Sequence, residues 1–301
     1  MSAMHPPIRS RRRLLYRLGA SAGLLPVLAT LEQALAAQGP APRMPSIFVG
    51  HGSPMNALAD NAYARRLQRW GSQIGRPRAI LVVSAHWLTR GGTAVATVLQ
   101  PETIHDFSGF PPALANMQYP AKGAPQLAQQ TVELLGAFKA QPSQAWGLDH
   151  GAWTVLHHLY PQADVPVFQV SIDYAQGPAY HFAVGRELAG LRERGVLILG
   201  SGNVVHNLRA TEDSEALLPR ASTAWAQDFD DAVKAALAAG AVEALKDYRN
   251  LHASHAAAVP TPDHYWPLLY ALGAAGFSER PSFPFEGFQN GTISMRCVQW
   301  G

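Results

Sequence analysis

Short unbroken apolar runs alternate along this chain with longer segments in which apolar positions recur every three or four residues. The first pattern predicts buried strands and the second amphipathic helices. Strands are expected over residues 46–50, 78–85, 93–99, 165–172, 196–200 and 292–299. Helices are expected over 61–74, with Ala64, Leu67 and Trp70 as the buried stripe, and over 124–138, 153–160, 181–194, 221–239, 242–248 and 264–274. Residues 103–122 are rich in Pro, Gly and aromatics and read as a long functional loop. Alternation of this kind implies an α/β single-domain sandwich, with a central, largely parallel or mixed β-sheet flanked by helices. No internal repeat or linker divides it.

Composition narrows the functional classes. The chain has 301 residues, 48% hydrophobic and only 15% charged, which suffices for one large core. The net charge is +3, and Arg9, Arg11, Arg12, Arg13 and Arg17 crowd the N-terminus, so the remaining body is near neutral. No basic stripe with interleaved aromatics marks a nucleic-acid surface. Cys297 is the one cysteine, which excludes an intramolecular disulfide and leaves nitrogen and oxygen as the ligands of any metal site.

The arginines belong to a second pattern. Ser10-Arg11-Arg12-Arg13-Leu14-Leu15 resembles a twin-arginine export signal, followed by a diluted apolar stretch to Leu31 and the small-x-small site Ala34-Leu35-Ala36. The stretch is too short and interrupted for a stable membrane anchor. The expected organisation is a twin-arginine-type signal peptide over 1–36, cleaved near Ala36-Ala37, a short lead-in over 37–45 and a catalytic domain over 46–301. The expected home is the periplasm, with the twin-arginine export machinery as a partner. An amphipathic N-terminal helix is the plainer alternative.

Four histidines stand at the ends of apolar runs or at a helix start. His51 lies in Val49-Gly50-His51-Gly52-Ser53-Pro54, His86 in Ser84-Ala85-His86-Trp87, His206 after Gly200-Ser201-Gly202, and His264 in Pro262-Asp263-His264-Tyr265-Trp266. Imidazole is the commonest ligand for divalent transition metals, and strand ends are where α/β proteins gather such groups. Asp263 is placed to cap a helix or to accept from His264. His150 in Asp149-His150-Gly151 is either a supporting acid or base or a turn residue, whereas His157 and His158 read as ordinary helix residues.

Six segments occur in order: Gly-His-Gly-Ser-Pro-Met-Asn, Ser-Ala-His-Trp, Tyr-Pro-Ala-Lys-Gly, Gly-Leu-Asp-His-Gly-Ala-Trp, Gly-Ser-Gly-Asn-Val-Val-His-Asn-Leu and Pro-Asp-His-Tyr-Trp-Pro. Together they resemble the class III extradiol ring-cleavage dioxygenases, in particular the DOPA 4,5-dioxygenase branch, over nearly all of residues 45–301. The resemblance implies a single α/β domain with His51, His86 and His264 as metal ligands. His206 would sit beside the metal as an acid/base or as a further ligand, and His150 would contact the substrate pocket. It implies Fe(II) for activity, with zinc able to occupy the same site but not to perform oxygen chemistry, because it has no redox change.

The partners so implied are a small-molecule catechol, DOPA-like or a related phenolic, and O2. His206 or His150 would take a catechol proton and return it during O–O cleavage. Trp87, Phe107, Phe110, Tyr119 and Trp266 are candidate walls for a flat substrate, and Lys122 a candidate for its carboxylate. The competing readings are a zinc-dependent hydrolase and a non-catalytic periplasmic metal-binding protein. A serine nucleophile at Ser201 lacks the elbow spacing such enzymes need.

Overall fold

Three of the apolar runs become the middle of one sheet. In the computed structural model, which describes residues 41–210, 222–276 and 278–301, β1 (Ser46–Gly50), β2 (Ala79–Ser84), β3 (Val167–Gln169), β4 (Val196–Gly202) and β5 (Cys297–Trp300) form a five-stranded sheet ordered β5-β1-β4-β2-β3. β1, β4, β2 and β3 are parallel, and β5 runs antiparallel to β1. The expected signal peptide and the first residues of the lead-in lie outside the described residues.

Both faces of the sheet are covered, which is why its strands are apolar throughout rather than alternating. Successive side chains still point to opposite faces. Phe48, Leu81, Val83 and Ile198 enter one core, and Ile47, Val49, Ile80, Val82, Leu197 and Leu199 enter the other. The first core is closed by α4 (Pro178–Leu188), α5 (Ala224–Ala239) and α6 (Trp266–Ala274), the second by α1 (Ala62–Ile74) and α3 (His150–Leu159). A further helix, α2 (Pro125–Leu134), packs Ala128 into the first core. Residues 41–301 make one compact unit.

Local chemistry sets the helix boundaries. Asn61 caps α1 by accepting from the Ala64 N–H at 2.9 Å. α2 and α4 begin with Pro, whose missing N–H costs nothing in a first turn. Asp149 caps α3, so this helix starts three residues earlier than its apolar period indicates. Several expected elements are shorter than read. The 165–172 run breaks into β3 and a two-residue strand at Ile172–Asp173, and 93–99 keeps only Ala94–Ala96, paired with the unexpected Gln141–Ser143. The 103–122 loop holds one short helix, Pro112–Ala115. Among the described residues no helix is long and apolar enough to cross a membrane.

The register places the site. Ser201 of β4 lies level with Val49 of β1 on one side and Ser84 of β2 on the other. The ends of three parallel strands therefore come together at one edge of the sheet. His51 follows β1 directly, His86 follows β2 by two residues, and the turn after β4 leads to His206.

Candidate metal centre

Five imidazoles meet at this edge. His51, His150 and His264 are buried, and His86 and His206 nearly so. The ring centroids of His51, His86 and His264 form a triangle with sides of 5.0, 5.1 and 5.3 Å. Nε2 of His51 lies 3.2 Å from Nε2 of His86. Two imidazoles sharing one ion through bonds of about 2.05 Å at a tetrahedral angle hold their nitrogens about 3.3 Å apart. The donor set thus fits a transition metal.

Two of the far nitrogens are tied back by hydrogen bonds, and the third faces a carboxylate. Nδ1 of His51 is 3.0 Å from Oγ of Ser201, whose own proton goes to the Gly151 carbonyl at 2.5 Å. Ser201 must therefore accept from His51, which leaves Nε2 of that ring as the lone-pair nitrogen. Nδ1 of His264 lies 2.5 Å from Oδ2 of Asp263. Nδ1 of His86 lies 3.5 Å from Oδ2 of Asp106. Imidazole ligands characteristically have their second nitrogen held in this way, which orients the ring and raises its basicity.

His150 and His206 stand against the triangle. The His150 ring is 3.9 Å from that of His86, and one of its nitrogens lies within 4.8 Å of ring nitrogens of His51 and His86, so among the described residues nitrogen distances group His51, His86 and His150 as possible ligands, whereas His264 joins His51 and His86 by ring position. Nδ1 of His150 is 2.9 Å from Oδ1 of Asp106, off the hydrogen-bond axis. The His206 ring lies flat on His264, 3.5 Å away and tilted by 4°. Burial, and then mutual repulsion among the rings, holds His51 and His264 well below the usual imidazole range. Burial likewise lowers His86 to about 3 and His206 to about 4, with Asp263 opposing both shifts. These four rings are neutral at pH 7 and present lone pairs, as metal binding requires.

Close approach of backbone brings His264 to the other rings. A Cβ on Gly202 would lie 2.1 Å from the His264 carbonyl, which instead accepts the Asn203 N–H at 2.8 Å. Only glycine lets the segment ahead of α6 sit against β4 there. The His51 loop is braced by Asn56, whose Nδ2 donates to the His51 carbonyl at 2.9 Å. Asp149 accepts from Ser84 at 2.5 Å, Gln169 at 3.0 Å and Trp146 at 3.2 Å, joining β2, β3 and the start of α3. Burial pushes the Asp149 carboxyl up, and the Ser84 and Gln169 donors oppose that.

Not every expected residue lines the site. Phe107 does, edge-on to His150 at 5.7 Å, with Phe110 beside it at 5.3 Å. Trp87 stacks on Trp146 at 5.5 Å. Tyr119 and Trp266 belong to the two cores: Tyr119 donates to the Tyr160 carbonyl, and Trp266 packs on His181. Lys122 is exposed, and its carbonyl accepts from Val167, level with Ile80 at the opposite edge of the sheet. It is no carboxylate anchor. Ser201 is buried and committed to His51 and Gly151, so it is no nucleophile either. Asp106 and the Ser201 hydroxyl escaped the sequence reading; the one signal for Asp106 was an acid set between His105 and Phe107 in an otherwise weakly charged loop.

Comparison with known proteins gives the family. Residues 44–294 match the family described as the catalytic LigB subunit of aromatic ring-opening dioxygenase, and the chain belongs to that family. Within it the chain falls in the DOPA branch of the class III extradiol dioxygenases and is a metal-dependent ring-cleaving dioxygenase. It is 49% identical over 263 residues to the 4,5-DOPA dioxygenase extradiol of Escherichia coli (strain K12), covering 86% of this chain and 95% of that one. It is 37% identical over 256 residues to the protein of the same name from Beta vulgaris, covering 83% and 93%. A crystal structure of an uncharacterized protein, JW3007, from Escherichia coli K12 superposes with a TM-score of 0.74 at 44% identity, covering 86% of this chain and all of that one.

Proposed function

We propose that the protein uses Fe(II), held by His51, His86 and His264, to open the ring of a DOPA-like catechol beside its two hydroxyls. The observation that carries this reading is the near-equilateral triangle of those rings, with Nδ1 of His51 and of His264 hydrogen-bonded and that of His86 3.5 Å from a carboxylate oxygen. His150 fits less well as a ligand, because 3.9 Å between its ring and that of His86 is a packing distance rather than the spacing of two rings on one ion. When bound, Fe(II) supplies Lewis acidity toward the catechol oxygens and the redox change that O2 chemistry needs and zinc lacks.

The chain's own groups do the rest. His206 and His150 are the acid/base pair: rings beside the ligands, able to take a proton from a catechol hydroxyl and return it to the product. His206 stacks flat on His264 at 3.5 Å, also a packing distance, which suits an acid/base beside the ligands rather than a further ligand. Phe107 offers an apolar edge to a flat substrate. The names of the Escherichia coli and Beta vulgaris relatives support a DOPA-type catechol.

The iron-reconstituted protein should consume O2 with DOPA or a related catechol and form a yellow ring-opened product, and the zinc-loaded protein should not. No O2 uptake with any catechol defeats the proposal. The proposal extends to location: residues 1–36 direct twin-arginine export, 37–45 lead into the domain and 46–301 work in the periplasm, which the order of arginines, apolar stretch and Ala34-Leu35-Ala36 supports. N-terminal sequencing of exported protein should start near Ala37; an intact Met1 rejects it.

A further inference from the structure

One carboxylate touches two of the five rings. Oδ1 of Asp106 lies 2.9 Å from Nδ1 of His150, and Oδ2 lies 3.5 Å from Nδ1 of His86. Nδ1 of His150 has no hydrogen bond of good geometry, so this carboxylate is the acceptor at hand. The side chain of Asp106 is 21% exposed, so the contact is largely shielded from water.

The loop is built to put Asp106 there. The Ile104 N–H donates to the Leu148 carbonyl at 2.7 Å, and the Leu148 N–H to the Glu102 carbonyl at 2.8 Å. A stretch just before Asp106 is thereby paired to the stretch just before His150. Trp153 of α3 donates to the Ile104 carbonyl at 3.0 Å. Oδ1 of Asp106 also accepts the backbone N–H of His150 at 3.0 Å, one of the donors left open in the first turn of α3. The next residue, Phe107, turns its ring to His150.

We propose that Asp106 is a positioning residue, a single carboxylate that aligns the metal ligand His86 and the acid/base His150 by their Nδ1 atoms and so fixes the nitrogens opposite. This rests on the roles given to those two histidines above. Capping α3 is a separate task, and the two are separable. Asn keeps an oxygen for the His150 N–H and is a good cap, but it brings no charge to the two rings.

The test uses Asp106→Asn, Asp106→Glu, His150→Ala and the double variant Asp106→Asn/His150→Ala. Zinc affinity of the metal-free protein is read by chelator competition, and kcat and KM with a catechol by O2 uptake at saturating Fe(II). Asp106→Asn should melt close to wild type, yet bind zinc about tenfold more weakly and lose about ten- to hundredfold in kcat, with KM changed less than about threefold. Asp106→Glu, which keeps the charge but moves both oxygens by one methylene, should fall between wild type and Asp106→Asn. At saturating Fe(II), where the His86 contact tells in metal affinity rather than in turnover, the double variant should turn over no more than about twofold more slowly than His150→Ala alone, because Asp106 acts on kcat through the His150 ring. Wild-type affinity and kcat in Asp106→Asn, or losses that multiply in the double variant, overturn the inference. If the wild type takes up no O2, the proposed function fails while the zinc affinity of Asp106→Asn still decides this point.

Discussion

An imidazole offers a metal one nitrogen at a time, so what its other nitrogen meets sets both its tautomer and its aim. Ser201 does this for His51 and Asp263 for His264, at 3.0 and 2.5 Å. His51→Ala and His264→Ala should each abolish retention of metal through dialysis, measured by elemental analysis. His206→Ala should keep the metal and lower turnover instead; loss of metal there would make His206 a ligand. Ser201→Ala removes the acceptor of His51 but no ligand, and should weaken metal binding about tenfold without unfolding the protein. Wild-type affinity in that variant would mean that packing alone holds the ring.

Between elements, the site depends on how closely α6 and its lead-in approach β4. Trp266 begins the helix, Pro267 follows in its first turn and His264 lies just ahead, with Gly200 and Gly202 as the facing strand residues. A methyl at Gly202 would meet the His264 carbonyl and the Pro267 ring, at 2.1 and 3.1 Å. Most of the clash is with backbone, which cannot swing aside, so Gly202→Ala should cost on the order of 1–3 kcal/mol in stability and also weaken metal binding, because it displaces a ligand. Gly136→Ala, where nothing lies within 4 Å, is the control and should melt near wild type. Equal melting of both variants would show that the lead-in to α6 shifts freely.

Across the whole molecule, buried histidines make stability depend on pH. His181 is held between Trp266 and Tyr270, and burial lowers it to about 4, against the smaller opposing influences of Gln176 and Asp173. In the unfolded chain it takes a proton near pH 6.5. Between about 6.5 and 4 the unfolded state therefore binds a proton that the folded state refuses, and stability falls as pH drops through that window, then levels. For His181 alone the loss is on the order of 3 kcal/mol, and melting of the metal-free protein from pH 7 to 4 should show a shallower fall in His181→Phe. An unchanged slope would remove His181 from the account. Much of this architecture was legible in the chain. The apolar runs ending at His51 and His86 named both the strands and their functional ends, because burial on two faces demands unbroken hydrophobicity whatever the neighbours. The cap at Asp149 was visible as a residue type, yet α3 begins at His150 rather than at Trp153, because a cap overrides the apolar period. Lys122 and Tyr119 read as site residues from the loop they share, and the fold sent one to the far edge of the sheet and the other into a core. Asp106 showed in the chain only as an acid between His105 and Phe107, and its role could not be read from that. Its partners lie 20 and 44 positions away in sequence, and only the pairing of Ile104 with Leu148 brings them within reach. The chain by itself determined which residues must be buried and which could bind a metal, since both follow from side-chain chemistry. Tertiary structure alone decided which nitrogens face one another, because a ring's orientation is set by hydrogen bonds from strands that meet only in the folded sheet.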